Sequence, residues 1–169
     1  MALPSAGDVK KVHDAADIGF RAFVGLCAFA GLRPSEAAGV QVGDIDFLRR
    51  TLSVSRQVQR IPGGFELRAP KYGSERPVFL APSLVSMISE RLASSTPEGD
   101  PKRWLFTGEG VDPPQPNTVN HRWRTVRNRA RVGPIRLHDM RHFYASGLIA
   151  AGCDVVTVQR PSDTPAPRP

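Results

Sequence analysis

Gly31-Leu32-Arg33-Pro34-Ser35-Glu36 near the start of the chain, and His138-Asp139-Met140-Arg141-His142 near its end, decide how this sequence is read. In the first stretch a glycine can end one helix in the left-handed conformation, and a proline suits the first turn of the next. Arg33 therefore stands at a helix junction, held by backbone on both sides. In the second stretch His138 and Arg141 are three apart, so on a helix they share a face and address one ligand. Between the two, Lys71 falls in what reads as a β-hairpin. Two arginines, a lysine and a histidine brought together make a phosphate-handling site.

Working outward, residues 8–16 read as a short helix with Ser5 or Asp8 as its cap. Residues 17–30 read as a second helix, largely apolar and so buried. Residues 34–40 form a third. The pattern then changes. Thr51-Leu52-Ser53-Val54-Ser55 and Phe65-Glu66-Leu67-Arg68-Ala69 alternate apolar and polar, and Pro77-Val78-Phe79-Leu80 follows a Tyr72-Gly73-Ser74 turn; together they predict one small antiparallel sheet. Residues 82–93 are helical, 94–102 a loop, Trp104-Leu105-Phe106 a short buried segment and 112–116 a proline-rich linker. Asn117 or Thr118 caps the next helix, whose apolar stripe is Val119, Trp123, Val126 and Ala130. The last long helix covers 137–151, with Leu137, Met140, Tyr144 and Leu148 buried and Gly152 as its C-cap. Fold class is α+β, mainly helical, with the sheet near the middle.

A chain of 169 residues is one domain with room for a real core. Its longest strongly apolar stretch, 23–32, is too short to span a bilayer, and no secretory signal opens it. Cys27 and Cys153 make neither a disulfide framework nor a metal cluster, which points to a reducing, cytoplasmic setting. Net charge is +7, and its placement is uneven. Through Pro114 there are 14 basic and 13 acidic residues; from Gln115 onward there are nine and three. Within 121–142, Arg122, Arg124, Arg127, Arg129, Arg131, Arg136 and Arg141 face only Asp139. Such an excess fits a polyanion, through counterion release and bidentate phosphate contacts, or equally a solvated helix face.

The motifs together resemble the catalytic domain of a tyrosine recombinase, the family of phage and prophage integrases. Arg33 falls in a G-L-R-x-S-E box, Lys71 in the hairpin, and His138 and Arg141 in an H-x-L-R-H box with Met140 in place of leucine. The resemblance runs over residues 4–160. It implies DNA cleavage without metal or other cofactor, by tyrosine attack on the scissile phosphate to leave a 3′-phosphotyrosine. On that basis the catalytic set is Arg33, Lys71, His138 and Arg141. Arg33 and Arg141 would clamp the non-bridging oxygens of the phosphorane-like transition state with fixed donors. Lys71 would give the leaving 5′-oxygen its proton, and His138 would orient or exchange a proton near the nucleophile. Glu36 braces the site. Asp139 and His142 fit the box as structural residues.

The resemblance also implies text of the form V-Q-x-x-L-G-H and then a nucleophilic tyrosine. Val158-Gln159-Arg160 matches the opening, after which the chain reads Pro161-Ser162-Asp163-Thr164-Pro165-Ala166-Pro167-Arg168-Pro169, a tail (161–169) expected to be disordered. Tyr72 and Tyr144 are the two tyrosines, and neither is expected to attack. Codons for that tail, regrouped one nucleotide earlier with free positions chosen, can encode A-L-G-H-A-S-A-T-T, so a frameshift after Arg160 is expected. The family's N-terminal core-binding domain, which closes the clamp on DNA, is not expected in these residues. The expected function is a prophage-integrase fragment that binds double-stranded, attachment-site-like DNA, away from membranes, and does not recombine it alone. Alternatives are a DNA-binding modulator of a full-length integrase, a site completed by a partner integrase in trans, and a decayed gene product that folds poorly.

Overall fold

The computed structural model describes residues 3–95 and 99–150, with side chains through residue 147. Expectations for Leu148, Gly152, Cys153, the Val158-Gln159-Arg160 run and the 161–169 tail, with the domain boundary at 160, lie outside the described residues.

Helix α1 (Ala6–Ala15) is capped by Ser5, whose Oγ accepts from Asp8 N at 3.1 Å while Asp8 Oδ2 accepts from Ser5 N at 3.0 Å. That reciprocal box settles the choice of cap. Asp17 caps α2 (Ile18–Ala30), accepting from Phe20 N at 2.9 Å. Being apolar almost all round, α2 is largely buried from Phe20 onward and forms the axis of the core. It packs against α4 (Pro82–Ala93) and α6 (Asp139–Ala150), while α1 packs against α5 (Pro116–Ala130). Phe20 stacks on Phe23, and Phe106 meets Phe23 edge-on, so the expected buried segment at 104–106 is where the loop closes over α2.

Gly31 ends α2 at φ +70°, as the sequence predicts, and α3 (Pro34–Ala38) follows at once. The third helix stops short of Val40 because the chain there turns extended: Leu105 N donates to Val40 O at 2.9 Å, and Gln41 pairs with Trp104.

Two sheets replace the single one expected. Strands β1 (Ile45–Asp46), β2 (Thr51–Val54) and β5 (Arg76–Phe79) form an antiparallel sheet in the order β1-β2-β5, and β3 (Gln57–Ile61) pairs only with β4 (Gly64–Arg68). The sequence reading gives no strand over 57–61, because three polar residues obscure its alternation. Val58 and Gln57 on that strand are nevertheless both buried, and the strand packs against α3. Lys71 consequently lies beyond the β3–β4 hairpin, on a 3₁₀ turn (Lys71–Gly73) that carries the chain from one sheet to the other.

Helix α5 starts at Pro116, with Gln115 in the cap position instead of Asn117 or Thr118. Proline at the first helical position forfeits only an N–H that had no intrahelical partner. Val119, Trp123 and Val126 are buried and Ala130 packs against them; Trp123 Nε1 donates to Ile135 O at 2.9 Å. Helix α6 starts at Asp139, two residues later than the sequence suggests. Met140 N bonds to Leu137 O and Arg141 N to His138 O, so His138 sits in the entry turn.

Candidate phosphate-binding site

Arg33 is the cap residue of α3, with extended backbone (φ −70°, ψ 149°) between a left-handed glycine and a helical proline. Its N–H donates to Glu36 Oε2 at 2.9 Å, and its Nη1 donates to Glu36 Oε1 at 2.8 Å. Glu36 therefore fixes both ends of Arg33. Arg33, Lys71 and His138 line one cavity of about 310 Å³, together with Ser35, Val58 and Asn120 among others. Three of the four residues singled out from sequence thus meet around one space, although they come from a helix junction, an inter-sheet turn and the entry to α6.

The fourth, Arg141, approaches from α6. Burial lowers the pKa of its guanidinium, and so does the like charge of Arg33; Glu36 opposes both. An arginine stays protonated regardless, so Arg141 sits beside Arg33 as a second fixed positive charge. Its Nη1 is buried and has no hydrogen-bond partner among the described residues. Buried donors are almost always paired, so such a donor marks a place where an acceptor is wanted.

Glu36 is nine-tenths buried and more, at 1% exposure. Burial pushes its carboxyl up, but hydrogen bonds from Arg76 and from Arg33 outweigh it, leaving the group below the usual carboxylate range. His138 is held below the ordinary histidine value, first by burial and then by the charges of His142 and Arg141. At neutral pH it is an uncharged imidazole, able to accept or donate. Asp139 is buried too; burial raises its pKa, and bonds from the Arg136 side chain and N–H bring it below its ordinary value. Its carboxylate closes the turn that leads into α6, accepting from Arg136 N at 2.9 Å and from Arg136 Nη2 at 3.1 Å. His142 meets the His138 ring edge-on, with centroids 5.3 Å apart.

Two contributors escape the sequence reading. Arg76 donates to Glu36 from β5, and no local pattern distinguishes it from any exposed strand arginine. Gln57 donates through Nε2 to Ala69 O at 2.9 Å and accepts from Ser35 Oγ at 3.3 Å, tying α3 to the residues just ahead of Lys71. The signal for Gln57 would have been a strand over 57–61, which places an amide on a buried face. Lys71 itself is held through its carbonyl, which accepts from Ser74 Oγ at 2.8 Å.

A groove of about 720 Å³ shares Pro34, Asn120 and His138 with this cavity and runs along α5 past Arg124 and Arg127. The arginines of α5 divide. Arg122 pairs with Asp17 at 3.0 Å and lies over the Phe20 ring, and Arg129 donates to Ala15 O. Those two tie α5 to α1 and α2, and Arg136, beyond the helix, pairs with Asp139 at 3.1 Å. Arg124 and Arg127 face the groove. Among the described residues no group of three or more His, Cys, Asp and Glu could hold a metal ion, and no helix is long and apolar enough to cross a membrane.

The pattern of the phage integrase family matches residues 7–163. Over 145 residues the chain is 30% identical to the integrase/recombinase y4qK of Sinorhizobium fredii, covering 85% of this chain and 42% of that protein. It is 31% identical over 159 residues to the tyrosine recombinase XerC of Mycobacterium sp. (strain KMS), covering 94% and 49%. It spans about half the length of the curated relatives it matches. Among solved structures, the Tn1549 transposon integrase in complex with transposon right end DNA superposes with a TM-score of 0.81 at 19% identity, over 94% of this chain and 56% of that one. The XerA recombinase superposes at 0.76 and 19% identity, over 98% and 57%. The catalytic domain of bacteriophage HP1 integrase does so at 0.61 and 14%, over 98% and 82%. At these identities the likeness is one of fold.

Proposed function

The chain belongs to the phage integrase family of tyrosine recombinases, and from that premise we propose that these residues form a DNA-phosphate-binding site of an integrase catalytic domain that does not cleave by itself. One observation carries the reading. Arg33, Lys71 and His138 surround a single cavity, beside an Arg141 whose buried Nη1 lacks a partner among the described residues. The charges suit a phosphate diester, and the Arg124–Arg127 groove that adjoins the cavity suits the neighbouring backbone of a duplex. Structures of similar fold include recombinases in complex with DNA, which supports the same partner here.

In this reading Arg33 and Arg141 clamp the two non-bridging oxygens, where negative charge grows as the phosphate becomes five-coordinate. Guanidiniums serve because their donors are fixed in a plane; Arg33 is oriented by Glu36 before any ligand arrives. Lys71, on its turn at the cavity edge, supplies the leaving 5′-oxygen with a proton. Neutral His138 orients or relays a proton at the attacking side. No metal or cofactor is required, since all the charge needed comes from side chains.

Neither tyrosine of these residues is placed to attack a phosphate in the cavity. Tyr72 is 90% exposed beside Lys71, and the Tyr144 ring is packed against Gly31 at the end of α2. We assign neither as nucleophile. The chain then acts in the cytoplasm, nucleoid-associated when bound, as an attachment-site binder or as a partner whose site a full-length integrase completes in trans. A frameshift after Arg160 accounts for the text that follows it. Sequencing the locus tests that: a neighbouring frame must encode L-G-H and a tyrosine, and the idea fails if it does not.

A suicide substrate carrying an attachment site tests the function. The chain alone is expected to retain this DNA in a salt-sensitive way and to form no covalent adduct. Adduct with a full-length integrase present, lost on Arg33→Ala, supports completion in trans. An adduct formed by the chain alone overturns the reading.

A further inference from the structure

Glu36 is surrounded by more positive charge than a brace for Arg33 needs. Its side chain is fully buried, and both oxygens are shared between two arginines. Oε1 accepts from Arg33 Nη1 at 2.8 Å and from Arg76 Nη1 at 3.4 Å; Oε2 accepts from Arg33 N at 2.9 Å and from Arg76 Nη2 at 3.1 Å. A buried carboxylate held by Arg33 alone would close into a neutral pair, leaving Arg33 little to offer a ligand. Arg76 alters that balance. Three guanidiniums, of Arg33, Arg76 and Arg141, then act around one carboxylate, and the charges of Arg33 and Arg76 are both felt at Arg141.

Arg76 is also held from outside the site. Its Nη1 donates to Ser74 O at 3.0 Å, and its backbone is registered opposite Val54 in the β2–β5 ladder. The sheet, not the ligand, fixes its guanidinium, which is only 15% exposed and does not line the cavity. The same Ser74 bonds the Lys71 carbonyl, so one short segment positions both the lysine turn and the second cation on Glu36.

We propose that Arg76 is a positioning residue of the phosphate site: it neutralises Glu36 from the sheet side, so that Arg33, held in place by the same carboxylate, keeps a net positive charge for the DNA phosphate. This rests on the reading of the cavity as a DNA-phosphate site. Removing Arg76 leaves Glu36 to neutralise Arg33. Removing the charge of Glu36 at the same time releases Arg33 again, which no purely structural role for Arg76 would do.

The test uses the full 169-residue chain and a fluorescein-labelled duplex of mixed sequence, with thermal unfolding of each variant alongside. Arg76→Met should weaken binding about tenfold at fixed salt, the size of one charge-assisted hydrogen bond. Glu36→Gln/Arg76→Met should recover most of that loss, and the recovery should vanish when Arg33→Ala is added. Arg76→Lys, which keeps the charge but not the fork, should fall between and serves if Arg76→Met fails to fold. Folded Arg76 variants that bind like wild type, while Arg33→Ala weakens binding, overturn the proposal alone. So does a folded double variant no better than Arg76→Met. If Arg33→Ala binds like wild type, the reading of the cavity falls, and Arg76 with it.

Discussion

Gly31 meets two demands at once: its φ of +70° is left-handed, and a Cβ there would lie 2.4 Å from Tyr144 Cδ1. Alanine would incur both the left-handed penalty and an overlap with the Tyr144 ring, which would have to shift. Gly31→Ala should therefore cost about 2–4 kcal/mol in urea denaturation; a change within about 0.5 kcal/mol, ordinary for a surface site, would refute this contact. The left-handed glycine was legible in G-L-R-P, because the local residues set it. The Tyr144 contact was not, because it depends on how α6 crosses the end of α2. His138 gives a second residue-level test. Its folded pKa lies below the ordinary 6.5, so the unfolded chain takes up the proton first. The stability that comes from keeping it neutral is complete above that value and declines as pH falls from it through the folded value. His138→Gln should flatten that part of the stability–pH curve, and an imidazole NMR titration of His138 at or above the ordinary value would contradict it.

Helix α5 has one face packed on the core and on α1 and another along the groove, and mutations should separate them. Trp123→Ala removes a buried indole and its bond to Ile135 O, and should cost about 3–5 kcal/mol of stability. Arg124→Ala and Arg127→Ala should each leave stability within about 0.5 kcal/mol of wild type and lower the slope of log K against log salt for duplex DNA by about one. Arg122→Ala should do the reverse, since its partners are Asp17 and Phe20. A salt slope equally reduced by Arg122→Ala would show that the division of arginines is wrong. The apolar stripe of α5 could be read from spacing alone. Which arginines were ties and which faced a groove could not, because α1 and α2 decide it from more than a hundred residues away. Strand β3 escaped notice for a related reason: Gln57, Gln59 and Arg60 look solvated until α3 is laid over Gln57.

At the scale of the molecule, one core built on α2 places the α3 junction beside the entry to α6, about a hundred residues further along the chain. Cys27 lies at its centre, wholly buried; burial, and then the Glu36 charge, push its thiol well above the ordinary range. In a Cys153→Ser background the native protein should therefore not react with a thiol reagent until unfolded, and rapid native labelling would contradict this packing. Acid should unfold the molecule through its site. Glu36 and Asp139 both have folded pKa values lowered from 4.5 and 3.8, so their contribution holds above those values and is lost as pH falls below them. Arg33, His138 and Arg141 could be singled out in the sequence because their motifs are local and dense, and the fold places them near one another. Lys71 was singled out in a hairpin but lies on an inter-sheet turn, and Arg76 was not singled out, since sheet pairing alone carries β5 to Glu36. What the assembled cluster does is read most directly from DNA binding against salt for wild type, Arg33→Ala and Arg141→Ala. A phosphate held by both arginines predicts weaker binding and a slope reduced by about one in each variant, with the fold intact. Folded variants that bind with the wild-type affinity and slope would contradict the account.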